Sequence, residues 1–204
     1  MERNMNNQSP IVQQFTCDPV GRWTDADLLG ELIGVQESVQ QYKGSLQPFF
    51  ADGPKLQPHK KCVVARELVK RWLCEELMSN TVFAQPSSVT DYLKIHFAGR
   101  EYESFVVLFL DAHNRLILIE ELFRGTLTQT SVYPREIVKA AMNHNAAAVM
   151  FSHNHPSGVP EPSRADEHLT QTLKVALALV DVRVLDHLII AGANSLSLAE
   201  RGLL

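Results

Sequence analysis

The sequence predicts an α/β domain preceded by a small helical domain. Two apolar runs, FVVLFL and AAAVMF, are bounded by turn formers and read as buried strands. Segments with helical apolar spacing alternate with them, whereas the first 80 residues carry helical spacing and no such run. A chain of 204 residues has room for one good core plus a small appended unit.

Composition narrows the class. With 45% hydrophobic and 21% charged residues, the chain reads as ordinary soluble globular material. Its formal net charge of −4 gives no global attraction to nucleic acid. Cys17, Cys62 and Cys74 are odd in number, widely spaced and form no CxxC pair, which points to a reducing cytoplasm. The longest apolar runs are core-sized, so no membrane span is expected. MERNMNNQSPIVQQ has no apolar core and is not read as a signal peptide. No internal repeat is evident.

Residues 1–16 are rich in Asn and Gln and are expected to be disordered. The helical domain is assigned to residues 17–80. Its first helix, over 24–37, starts at the capping residue Thr24 and places Leu28, Leu29, Leu32 and Ile33 on one face. After SLQPFF comes KLQPHKKCVVARELVKRWLCEELM, where Val64, Leu68, Trp72 and Leu73 recur at helical spacing. Between positions 55 and 71, Lys55, Lys60, Lys61, Arg66, Lys70 and Arg71 face a single acid, Glu67. The patch offers a nucleic-acid surface or a solvated helix face. The second reading is favoured, because Glu75 and Glu76 offset part of the charge.

The α/β domain is assigned to residues 87–204. AQPSSVTDYLKIHFAG reads as linker and first helix, with Ser87 or Ser88 as cap. ESFVVLFLDAHNRLILIEELFRGTL gives two strands around DAHN, with Glu103 opening the first. A carboxylate there is ordinarily a solvated strand-end group. PREIVKAAMNHN starts a helix at Pro134, turns Ile137, Val138 and Ala141 inward, and leaves His144 as a C-terminal cation. A helix over 163–180 and the β-branched VRVLDHLIIAG complete the order. Asp186 and His187 are neighbours on a strand and point to opposite faces, which suits no Ser-His-Asp relay. His187 is read as structural, or at most as an outer partner of a site.

The stretch FSHNHPSGVPEPSRAD carries the chemistry. On an extended backbone residues i and i+2 share a side, so His153 and His155 can converge. A loop stiffened by Pro156, Pro160 and Pro162 leads to Asp166, eleven residues beyond His155. Two imidazoles and a carboxylate make the three-ligand set that catalytic zinc uses, leaving a fourth position for water. Ser163 stands three residues before Asp166, within reach of that water or of an oxyanion; Ser-x-x-Asp is equally a capping box. A His-x-His pair in a loop is by itself commonly structural. The combination at one strand–helix junction favours the metal.

The order His-x-His, seven residues, Ser-x-x-Asp resembles the JAMM (MPN-type) metalloprotease signature. With VYPREIVKAAMNHNAAAVMFSHNHPSG and VRVLDHLIIAG around it, the chain from about Ser87 onward looks like the RadC family of bacterial JAMM-domain proteins. The resemblance implies a cytidine-deaminase-like mixed sheet flanked by helices, with Zn2+ on His153, His155 and Asp166. It also implies a water-activating glutamate at Glu103; spacing alone does not choose Glu103 over Glu101, Glu120, Glu121 or Glu136. Zinc and Ser163 would stabilise the oxyanion. In RadC proteins the preceding region resembles a helix-hairpin-helix module, but KLQPHKK lacks the glycines of its phosphate-binding turn.

The leading expectation is therefore a zinc-dependent hydrolase of peptide or isopeptide bonds, acting on a protein or peptide substrate. The alternatives are a DNA-repair or nucleic-acid-associated accessory protein, resting on the basic patch, and a non-catalytic interaction module that keeps its metal. A zinc deaminase would need His-x-Glu and Pro-Cys-x-x-Cys, and the chain has neither.

Overall fold

The computed structural model describes residues 23–36, 42–50, 59–82, 86–125 and 132–204; the stretch 1–16, Cys17 and Lys55 lie outside them. The helices are α1 (Asp25–Ile33), α2 (Gln47–Phe50), α3 (Lys60–Ser79), α4 (Pro86–Phe97), α5 (Pro134–Asn143) and α6 (Arg164–Ala178). The strands are β1 (Ser104–Leu110), β2 (Leu116–Arg124), β3 (Ala148–Asn154), β4 (Arg183–Ala191) and β5 (Asn194–Ser197). They form one sheet in the order β2-β1-β3-β4-β5. β1 runs antiparallel to β2 and β3, β3 is parallel to β4, and β5 is antiparallel to β4. This is the mixed α/β sheet flanked by helices that the sequence led us to expect.

The core explains why β1 is a continuous apolar run. Val106, Leu108 and Leu110 face Leu73 and Leu77 of α3 and Val89 and Leu93 of α4. Phe105, Val107 and Phe109 face Ile137 and Ala141 of α5 and Leu173 and Leu177 of α6. A strand covered on both faces has no use for alternation. Each fully buried Leu or Phe contributes roughly 1.5–3 kcal/mol to this three-layer packing. The parallel pair β3–β4 needs a crossover, and α6 supplies it. The N-terminus of α6 is thereby brought back to the end of β3, where the histidines lie.

Three expectations need correction. The first helix is capped by Thr24, whose Oγ accepts from the Asp27 amide at 3.2 Å. It stops at Ile33 rather than residue 37, because Gly34 takes φ 108°, outside the helical region. On α3 the stripe of Val64, Leu68 and Trp72 is exposed, at 49%, 62% and 61%, while Cys62, Leu73 and Leu77 are buried. Several helical rows of this segment are apolar, and packing against the sheet selects among them. Ser87 and Ser88 do not cap α4: it begins at Pro86, which puts both in its first turn.

The end of α3 shares the core of the sheet through Leu73 and Leu77, so the helical region and the α/β domain are packed together there. Arg66 on α3 donates to the carbonyl of Phe50 at 2.6 Å. Lys70 and Arg71 pair with Glu67 at 2.7 and 2.8 Å. Three of the six basic residues of the patch are thus engaged within the protein. No helix among the described residues is long and apolar enough to cross a membrane.

Candidate metal centre

The last residues of β3 and the turn after it aim two histidines at one point. The His155 amide continues the ladder by donating to the Ile190 carbonyl at 2.8 Å, so residues 153 and 155 keep the same side. The chain then turns at Gly158, whose φ of 81° suits glycine, and its amide donates to the His155 carbonyl at 3.1 Å. The turn carries the Val159 carbonyl to within 2.8 Å of His155 Nδ1. Asp166 comes from the first turn of α6. Ser163 caps that helix: its Oγ accepts from the Asp166 amide at 3.2 Å, and its amide and hydroxyl both donate to Asp166 Oδ2 at 2.7 Å.

The three side chains suit a metal ion. His153 Nε2 lies 2.9 Å from His155 Nε2 and 3.3 Å from Asp166 Oδ1. His155 Nε2 lies 3.7 Å from Asp166 Oδ2. Ligands at the 2.0–2.1 Å distances of zinc sit about 3.3–3.4 Å apart in a tetrahedron, and the three separations bracket that value. The donor chemistry agrees. A carbonyl only accepts, so neutral His155 carries its proton on Nδ1 toward Val159 and turns a bare Nε2 into the cluster. Among the described residues, His153, His155 and Asp166 are the only group of three such side chains able to hold a metal.

Electrostatics favours a cation there. Burial pushes His153 down to about 4, against the pull of Asp166, so this ring is neutral near pH 7, the form that a metal would need. Asp166 sits well below the usual carboxylate range. Burial acts to raise it, but the hydrogen bond with His155, the charge of His153 and the Ser163 hydroxyl and amide outweigh burial. His155 is raised by its hydrogen bond with Asp166, which outweighs burial. With both imidazoles neutral the cluster carries one negative charge.

Glu103 lies just before β1, outside the ligand cluster but within electrostatic reach of it. Burial raises its carboxyl; His155 lowers it and Asp166 raises it further. Its backbone is held from three sides. The Gly125 amide donates to the Glu103 carbonyl at 2.8 Å. Asn154, 4% exposed, accepts from the Ser104 amide at 2.8 Å and donates to the Tyr102 carbonyl at 2.9 Å. The residue between the two histidines therefore clamps the peptide units on both sides of Glu103. A groove of about 500 Å³ opens beside His155, bordered also by Lys94, Arg100, Glu101, Asn154 and Pro156.

Asn154 is a residue that the sequence reading missed. The available signal was its place: between two converging histidines on a strand, an Asn faces the other side of the sheet and needs partners there. Thr170 was missed as well. Its Oγ lies 2.7 Å from the Asp166 carbonyl and 2.6 Å from His187 Nδ1. His187 in turn contacts His153 Nδ1 through Nε2 at 2.8 Å. Asp186 points elsewhere, accepting from the Ala199 amide and the Ser197 hydroxyl at 3.0 and 2.6 Å.

Comparison with known proteins identifies the family. The profile of the RadC-like JAB domain matches residues 83–203. A UPF0758 protein of Variovorax paradoxus is 61% identical over 142 residues, covering 70% of this chain and 63% of that protein. One from Acidovorax sp. (strain JS42) is 52% identical over 194 residues, covering 95% of this chain and 81% of that protein. HEAR2468 of Herminiimonas arsenicoxydans, also a UPF0758 protein, is 62% identical over 136 residues, covering 67% and 61%. The matched stretch thus spans less than two thirds of the Variovorax and Herminiimonas proteins, and none of these names states an activity. The profile covers more than half of the chain and includes every residue of the metal cluster, so the chain belongs to the RadC family of proteins with a JAB domain.

Proposed function

We propose that this protein is a zinc-dependent hydrolase of peptide or isopeptide bonds. The observation that carries the proposal is the convergence of His153 Nε2, His155 Nε2 and an Asp166 oxygen on one point, beside a clamped Glu103. Zinc held there would supply Lewis acidity, polarising a carbonyl and lowering the pKa of a water to about 7. His153, His155 and Asp166 hold and orient. Glu103 takes the proton from the attacking water and returns it to the leaving amine. Its raised carboxyl pKa makes it a better base than an ordinary glutamate. Asn154 keeps Glu103 in register with the ligands through the two peptide units it holds. Ser163 contributes a hydroxyl to the developing oxyanion; between turnovers the hydroxyl donates its hydrogen bond to Asp166 Oδ2.

The engaged state of Arg66, Lys70 and Arg71 gives the nucleic-acid reading no added support. A direct test is to incubate the zinc-loaded chain with peptide and isopeptide-linked libraries and read new termini by mass spectrometry. Cleavage that disappears with a chelator and returns with zinc is the expected result. A chain that binds zinc stoichiometrically yet cuts nothing in either library would instead make it a metal-containing interaction module.

A further inference from the structure

We propose that Thr170 and His187 form a neutral hydrogen-bond relay that keeps His153 Nε2 free of a proton and aimed at the metal, making both of them positioning residues. The inference rests on the metal-centre reading above.

The direction of each proton follows from the partners. The Asp166 carbonyl can only accept, so the single proton of the Thr170 hydroxyl goes to it across 2.7 Å. The hydroxyl oxygen then has lone pairs for His187, and the 2.6 Å contact is closed by the Nδ1–H of that ring. Neutral His187 is left with a bare Nε2, which accepts from His153 Nδ1–H at 2.8 Å. His153 is consequently bare at Nε2, the atom that faces His155 and Asp166. The relay starts on the main chain of one ligand, Asp166, and ends on the ring of another, so α6 and β3 fix each other's donors.

The surroundings keep these directions in place. Thr170 and His187 are both 0% exposed. The His187 ring meets Phe105 and Phe151 edge to face, at 5.5 and 5.8 Å between centroids. An apolar cage provides no substitute partner, and a reversed proton would put two hydrogens or two lone pairs face to face inside it. Histidine ligands commonly orient through a carboxylate or a backbone carbonyl. Here a hydroxyl and a second imidazole do so, while the neighbouring Asp186 is engaged with Ser197 and Ala199. The relay adds no charge, so the ligand set keeps its single negative charge.

The test uses the full chain and zinc itself, with affinity read by competition against a chromogenic chelator and folding by thermal melts. Thr170→Val and His187→Ala should weaken zinc binding about 10–100-fold, the range for lost outer partners of a ligand. Thr170→Ser should restore wild-type affinity, because it restores the hydroxyl. Long-range 1H–15N spectra of the zinc-loaded wild type should show His187 and His153 each protonated at Nδ1. A folded Thr170→Val chain with wild-type affinity would overturn the relay, as would a His187 proton on Nε2. If the variants do not fold, the wild-type spectra decide. A wild-type chain that takes up no zinc would remove the metal centre and the relay with it. Unchanged variants on a zinc-binding wild type would remove the relay alone.

Discussion

His153 is buried and His96 half-buried, its side chain 14% exposed, and the structure uses the two histidines in opposite ways. Burial pushes His153 down to about 4 and, together with Arg100, pushes His96 down to about 3. Around His96 the ring stacks on Tyr92 and meets Phe97 edge on, while Nε2 lies 3.1 Å from the Arg100 guanidinium. A fixed cation beside the ring repels a second one. At His153 one nitrogen is tied to His187 and the other faces an imidazole and a carboxylate. A lowered pKa is therefore common to a packed histidine and to one placed to hold a metal. What separates them is a set of lone pairs converging under net negative charge.

The contrast can be broken most forcefully at the base. Glu103→Gln should lower hydrolysis by about 10²–10⁴, because Gln cannot accept the water's proton, and it should leave zinc content intact. His96→Gln should change neither. Wild-type turnover in Glu103→Gln would move the base to another residue.

Ser163 sharpens the comparison at a smaller scale. Ser163→Ala should lower turnover about a hundredfold, the scale for a lost oxyanion donor. Ser163→Asp should be worse, since it adds negative charge where one must be stabilised. As a cap alone, Ala would cost about 1 kcal/mol of stability and Asp almost nothing. A variant that melts earlier yet hydrolyses at the wild-type rate would leave Ser163 as the cap of α6 only.

His96 should leave activity untouched and show only in stability, where, like a paired carboxylate, it loses its contribution on the acid side, here because burial opposes protonation of the ring. The folded ring stays neutral down to about pH 3, whereas the unfolded ring takes up a proton near 6.5. Its contribution is fully present above about pH 6.5 and is lost as pH falls toward about 3. His96→Gln should flatten that part of the stability curve, measured by denaturant melts from pH 7 to 4. A curve as steep as the wild type would place the acid sensitivity elsewhere.

The convergence of His153, His155 and Asp166 was legible in the sequence because its geometry is local. The period of a strand puts His153 and His155 on one side, and a four-residue cap places Asp166 at the start of α6. The strands β1 and β3 were legible because burial on both faces leaves an unbroken apolar run. The relay was not, since Thr170 and His187 are 17 residues apart, and His187 and His153 are 34 apart, joined only by the β3–α6–β4 crossover. The Asn154 clamp on Ser104 spans 50 residues and depends on the pairing of β1 with β3. On α3 the apolar rows offered more than one inward face, and the choice belonged to the sheet.

The proposed site on His153, His155 and Asp166 should hold one zinc ion. Elemental analysis of the purified chain, beside a His153→Ala, His155→Ala double variant and His96→Gln, tests it most directly. About one zinc per chain is expected in the wild type and in His96→Gln, and almost none in the double variant. Undiminished zinc in a folded double variant would contradict it.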